Sequence, residues 1–228
     1  MGITRLGRTD DETLQQIKNL RLMDDVLMVK CLEDNSKCAE LLLQLIFKNS
    51  SFQVKRVKAM WHGPSVGLAI LAIERGWRYK IRVFRDDTAD KKRDPGVSLY
   101  AAEFASVRAG IGQRSGMNQE IAGHCAIYIV EHGATRKPID RGGIMIDGIG
   151  KSGHWGFGTI ALYVNCDCKN KSPLGRLMYD FSCTEASYMN YPLLADRVRY
   201  FKETRQGIRD ICEMLEQKRQ KSEAPKGN

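Results

Sequence analysis

Arg78, Lys80 and Arg82 sit at alternate positions in the stretch Trp77 to Arg85, WRYKIRVFR, and Phe84 continues the series. Side chains of a strand change sides at every residue, so these four share one face while Tyr79, Ile81 and Val83 share the other, facing a core. Cations repeated on one face of a half-buried strand suit contact with phosphates or carboxylates. The same pattern also guards an exposed sheet edge against unwanted pairing, and both readings are open at this level. Further cations follow: Arg85, then Lys91, Lys92 and Arg93 in the polar loop DDTADKKRDP, then Arg108 and Arg114 among the glycines of RAGIGQRSGMN. A glycine-rich backbone lets arginines approach phosphates closely. These nine residues are the candidate contacts to nucleic acid or to a protein partner.

Other residue types invite other chemistry. Asp86, Asp87 and Asp90 would form a divalent-metal site if the chain folded them back beside Glu103, although their spacing is not that of a known ligand set. His62 stands at a turn, where histidines are mostly solvated rather than catalytic. Cys166 and Cys168 with His132 or His154 would make a zinc site only if a second close pair of ligands existed, and none does. Gly150-Lys151-Ser152 resembles the end of a phosphate loop. The glycine required five residues before Gly150 is Met145, so the tight first turn is missing and nucleotide hydrolysis is not expected. No catalytic residue and no cofactor are assigned.

The elements that must position these groups read as an α/β chain. Asp11 to Asn19 and Cys38 to Phe47 read as helices, the second apolar nearly all round and therefore buried. Asp24 and Asp25 stand ahead of an apolar run, where an aspartate caps a helix, with an outlying ligand role as the alternative. Phe52 to Met60, Val66 to Ile73, Trp77 to Arg85, Cys125 to Glu131 and Ile160 to Val164 read as strands, with Trp61 to Pro64 and Arg75-Gly76 as turns. Helices are expected from Pro173 and from Leu194 to Glu203. This C-terminal helix has Arg197, Arg199, Lys202, Arg205 and Arg209 on a basic side and Ile208, Ile211, Met214 and Leu215 on its apolar side, with Gly207 placed to interrupt it.

Composition limits the function classes. The chain has 228 residues, 43% of them hydrophobic, enough for one sizeable core. Lysine and arginine number 36 against 27 aspartates and glutamates, a formal charge of +9, which favours polyanions or acidic protein surfaces. No stretch approaches the roughly 20 apolar residues of a membrane span, and the start MGITRLGRTDDE lacks the apolar core of a signal peptide, so a cytoplasmic setting is expected. The seven cysteines are an odd number in scattered contexts, and free thiols are expected in a reducing compartment.

Several segments carry a family resemblance: Leu22 to Asn35, LMDDVLMVKCLEDN; Ile127 to Glu131, IYIVE; Tyr163 to Asn165; and Pro173 to Glu203, PLGRLMYDFSCTEASYMNYPLLADRVRYFKE. On these the chain resembles the PD-(D/E)XK nuclease family transposases. The resemblance implies a restriction-endonuclease-like fold, a small mixed sheet flanked by helices with a helical C-terminal extension. It divides the chain into an N-terminal helical segment (1–21), the α/β domain (22–203) and a C-terminal helix with a charged tail (204–228). It also implies a hairpin reading like L-D-I-Y-A and then N-I-E-I-Q, whose Asp and Glu hold a metal. Here those places read Leu68-Ala69-Ile70-Leu71-Ala72 and Lys80-Ile81-Arg82-Val83-Phe84. Alanine cannot ligate Mg²⁺ and arginine repels it.

The expectation is a nuclease-fold protein without catalysis, binding nucleic acid or a nucleic-acid-processing complex such as a CRISPR effector, in the manner of an anti-CRISPR inhibitor from a mobile element. A Mg²⁺-dependent endonuclease or transposase with acids relocated to Asp86, Asp87 or Glu103, and a structural subunit meeting an acidic protein, are the alternatives.

Overall fold

In a computed structural model of the chain, the residues described are 11–86, 121–132, 138–142 and 158–223. Three helices come first: α1 (Asp11–Asn19), α2 (Asp25–Leu32) and α3 (Ser36–Phe47). The strands β1 (Gln53–His62), β2 (Ser65–Glu74), β3 (Trp77–Asp86), β4 (Ile121–Val130), β5 (Ile139–Gly142) and β6 (Gly158–Asn165) follow. The chain then continues through α4 (Pro173–Ser182), a short 3-10 turn (Ala186–Tyr188), α5 (Pro192–Glu203) and α6 (Arg205–Glu223). The architecture is α/β, a mixed sheet with helices against it.

Among the described residues the strand order is β1-β2-β3-β4-β6-β5. The meander β1 to β3 is antiparallel, β3, β4 and β6 run parallel, and β5 returns antiparallel to β6. The β2–β3 turn is made by Arg75 (φ 48°) and Gly76 (φ 84°), both left-handed, which matches the right-handed twist of a two-residue hairpin. The preceding turn is shorter than the sequence suggests. Strand β1 runs on through Trp61 and His62, leaving Gly63 (φ 54°) and Pro64 to reverse the chain.

One sheet face meets the helices. Val66, Leu68, Ile70 and Ala72 of β2, Tyr79, Ile81 and Val83 of β3, Cys125, Ile127 and Ile129 of β4, and Leu162 and Val164 of β6 all enter the main core. Against them lies α2, DVLMVKCL, which is buried on every side but Lys30 because it is sandwiched between β2 and the helices α5 and α6. Ile211 and Met214 of α6 and Ile17 of α1 belong to this same core, so both terminal segments pack with the central one. Helix α6 begins beyond a break at Thr204, and Gly207 lies inside it rather than interrupting it. A Cβ on Gly207 would run into the Tyr200 carbonyl and Phe201, so glycine is what lets α5 and α6 touch.

Polar side chains fasten this packing. Arg197 lies 4.8 Å above the Phe201 ring and donates to the carbonyls of Lys30 and Cys31, which satisfies and charge-matches the C-terminal end of α2. Buried Asp25 accepts from Lys218 Nζ at 2.6 and 2.7 Å, and from the Val66 backbone N–H at 3.3 Å, tying α6 and β2 to the start of α2. Asp24 is the N-cap residue by position, yet its carboxylate turns back to the Arg21 N–H at 2.7 Å and makes no cap hydrogen bond.

Strand β1 is an edge, and its outer side is met by the α2–α3 segment. Glu33 accepts from the Ala59 N–H at 2.9 Å, Glu40 from the Val54 N–H at 2.8 Å, and the Asp34 N–H donates to the Val57 carbonyl. A bulge between Val54 and Arg56 shifts the alternation there.

Candidate polyanion-binding face

The sheet face turned away from the main core carries the basic residues. The cross-strand register places Lys58, Ala69, Arg82 and Ala126 in one row and Arg56, Leu71, Lys80 and His124 in the next. Residues paired across strands stand about 4.8 Å apart and point the same way. Arg78 extends the β3 column beyond Lys80. Lys80 is exposed, while Arg78 and Arg82 are half-buried.

Strand β3 is third of six, with β2 on one side and β4 on the other. The edges are β1 and β5. Charges that guard an edge work by spoiling pairing with a newcomer strand, and β3 has both of its sides paired, so that explanation of Arg78, Lys80 and Arg82 is overturned.

A second apolar cluster lies along the same face, one row past Arg82. Phe84, Ala126, Tyr128 and Val130 are buried there, with Met60 and Tyr163 packed against them. The Phe84 and Tyr128 rings stack with centroids 6.0 Å apart, and Tyr128 and Tyr163 at 5.1 Å. The ladder explains Gly67: a Cβ there would come within 2.5 Å of Phe84 Cδ1 and 2.6 Å of the Val83 carbonyl. Phe84, alternating with the cations in sequence, therefore serves as packing that stiffens the strand bearing them.

His124 is held by this arrangement. Its imidazole is half-buried beside Lys80 and near Arg82, and burial first, then these two cations, push its pKa down to about 4. It is neutral at physiological pH and bordered by positive charge.

The expected site residues are only partly brought together. Arg78, Lys80 and Arg82 share this face. Arg85 does not: it follows the odd-numbered, core-side alternation, and its guanidinium meets Glu131 at 3.3 Å, a carboxylate that Arg21 also holds at 2.7 Å. These two arginines draw the Glu131 carboxyl below its ordinary range, the Arg21 hydrogen bond being the larger cause. Arg85 thus belongs to an internal ion cluster at the ends of β3 and β4. Lys91, Lys92, Arg93, Arg108, Arg114, Asp87, Asp90 and Glu103 lie outside the described residues, and Asp86 is described only as the last position of β3. Arg56, Lys58 and His124 were not singled out by sequence reasoning. The bulge conceals the side on which Arg56 and Lys58 fall, and His124 acquires meaning only from the β3–β4 register.

Among the described residues no group of three or more His, Cys, Asp and Glu converges as metal ligands would. Cys166 is buried with its thiol 3.4 Å from the Met178 carbonyl and from Ser182 Oγ, while exposed His132 approaches Asp167 at 3.5 Å. All seven cysteines are free. No helix among the described residues is long and apolar enough to cross a membrane. No family model, curated protein or solved structure matches the chain.

Proposed function

We propose that this chain is a nuclease-fold protein that does not cut, and that it binds nucleic acid or a nucleic-acid-processing complex through the cationic face of its sheet. The observation that carries the reading is the placement of Arg78, Lys80 and Arg82 on an interior strand, where edge protection does not account for them. Like charges two residues apart on one face repel, so a role in meeting negative charge is the economical reason for three of them. Among the described residues neither Arg78 nor Lys80 is paired with a carboxylate. Arg56 on β1 widens the field, and the net charge of +9 has the matching sign.

The resemblance to the PD-(D/E)XK nuclease family transposases belongs to this proposal. At the two places where that family holds its metal, this chain has Ala69 and Arg82, and the register sets them opposite each other. Phosphate contacts come mainly from arginine and lysine, so the exchange of acids for a methyl group and a guanidinium converts a cation site into an anion site. A cytoplasmic inhibitor of a CRISPR effector or of a similar defence complex fits such a face, by occupying or mimicking the surface that nucleic acid would use.

The test is retardation of short DNA and RNA duplexes and single strands at stepped salt, with Arg78→Glu/Lys80→Glu/Arg82→Glu as the comparison, alongside pull-down from cells carrying a defence system. Retardation or capture of a nucleic-acid-processing complex, lost in the triple variant, is expected. Robust plasmid cutting with Mg²⁺ or Mn²⁺ that Asp87→Ala or Glu103→Ala abolishes would overturn the reading.

A further inference from the structure

The outer side of α4 carries exposed aromatic rings among cations. Its inner side, with Leu174, Leu177, Met178 and Phe181, enters the main core, so the outer side lies across the sheet from the cationic face. Arg176 and Tyr179 are exposed at three-residue spacing, which puts them on one stripe of the helix. Tyr179 is 44% exposed and Tyr188 of the 3-10 turn is 70% exposed, so packing within the chain accounts for neither ring. Hydrogen bonds nonetheless hold this region in place. Buried Asp180, next to Tyr179, accepts from the Asn190 N–H at 2.7 Å, from Asn190 Nδ2 at 2.8 Å and from the Tyr191 N–H at 2.9 Å. Asn190 Nδ2 also donates to the Arg176 carbonyl at 3.4 Å, and Tyr191 Oη donates to the Pro173 carbonyl at 2.8 Å. The chain after Tyr188 is thereby laid back along α4, and Tyr188 comes near enough to act on the Tyr179 phenol.

Lys169, Lys171 and Arg176 supply the charge. Asn170 lies against α4 at Gly175, where a Cβ would strike it, and this sets Lys169 and Lys171 beside the helix. Lys169 is close enough to act on the Cys183 thiol, and Cys183 in turn is hydrogen-bonded to Tyr179. Among the described residues these three cations are exposed and none pairs with a carboxylate. Lys169 and Lys171 precede the positive end of α4, where cations oppose the helix dipole, so the helix does not account for them. The exposed acids at the margin are Asp167, which lies 3.5 Å from His132, and Glu185.

We infer that Tyr179 and Tyr188, with Lys169, Lys171 and Arg176 around them, form a surface for single-stranded nucleic acid, the rings stacking on bases and the cations contacting phosphates. Every base has a flat face, so exposed rings among cations hold a single strand of any sequence. A duplex keeps its bases stacked and shows only their edges in its grooves, which two phenol rings cannot cover. An acidic peptide would meet the cations and bring no flat group to the rings. This surface is separate from the cationic face of the sheet and does not rest on the reading of that face.

The experiment uses the whole chain and an oligothymidylate of about 20 nucleotides. Ultraviolet cross-linking of the same oligonucleotide carrying bromodeoxyuridine should place adducts on Tyr179 or Tyr188 of the unaltered chain. Affinities are then compared in a chain that also carries Arg78→Glu/Lys80→Glu/Arg82→Glu, so that the sheet face does not contribute. There Tyr188→Ala is expected to weaken binding about fivefold or more, and Tyr188→Phe, which keeps the ring, by less than about twofold. Arg176→Ala should lower the slope of log affinity against log salt by about 0.7, the single-strand value for one phosphate. Adducts confined to other residues, equal losses in Tyr188→Ala and Tyr188→Phe, or competition by polyglutamate as strong as by unlabelled oligothymidylate would overturn this surface and leave the reading of the sheet face standing. Absence of any binding to the oligothymidylate overturns it as well.

Discussion

Ala69 of β2 and Arg82 of β3 stand directly opposite each other across the hairpin, side chains on the same face. Cross-strand partners are close enough for a carboxylate at one position to pair with a cation at the other. Alanine brings no carboxylate to Arg82 from β2.

Placing an acid at position 69 should weaken the hold of this face on anions. Ala69→Asp is expected to weaken oligonucleotide retardation by about tenfold through an ion pair with Arg82, whereas Ala69→Ser, of similar size and uncharged, should change it by less than about twofold. Equal effects of the two substitutions would show that Arg82 does not serve as a contact.

Salt dependence gives a count. If Lys80 contacts a phosphate, Lys80→Ala should lower the slope of log affinity against log salt by about one, with a uniform loss across sequences. The exposed position of Lys80 means that the melting temperature should barely move.

Gly67 tests the aromatic ladder. The added methyl of Gly67→Ala meets a backbone carbonyl as well as the Phe84 ring, so β3 must shift, at a cost of about 1–3 kcal/mol in urea unfolding. Gly63→Ala is the control, since nothing lies within 4 Å of its new Cβ and only the left-handed φ of 54° is strained, for about 1 kcal/mol or less.

Acid should destabilise the protein from two sides. His124 has a folded pKa of about 4 against an ordinary 6.5, so the unfolded chain binds more protons between these values and stability falls as pH drops through that window. Glu131 has its pKa lowered by Arg21 and Arg85, and its contribution, complete above the ordinary carboxylate range, is lost as pH falls through the folded value. Chemical unfolding of His124→Asn should show a shallower decline between about pH 6.5 and pH 4.5 than the unaltered chain. Identical pH profiles would contradict the burial of His124 among cations.

Much of the framework was legible because strong local signals agreed with the tertiary outcome. The apolar run of α3, the alternation of β3 and the Arg75-Gly76 turn each specify their element without help from elsewhere. The mixed α/β character followed from those pieces. What escaped was non-local. The four residues of β5 are too few to show a period, and the bulge in β1 hides which side Arg56 and Lys58 take. Whether Arg78, Lys80 and Arg82 guard an edge depended on the neighbours of β3, which only the strand order supplies. Arg85 seemed to extend the basic group, yet the alternation that unites the other three sends it to the opposite face, toward Glu131.

The carboxylates of Glu33 and Glu40 on the outer side of β1 have a bearing on how a partner can approach. A strand arriving to lengthen the sheet at that border would have to displace both acids from the Ala59 and Val54 amides before forming its own ladder there. Recruitment by strand addition is hindered on that flank.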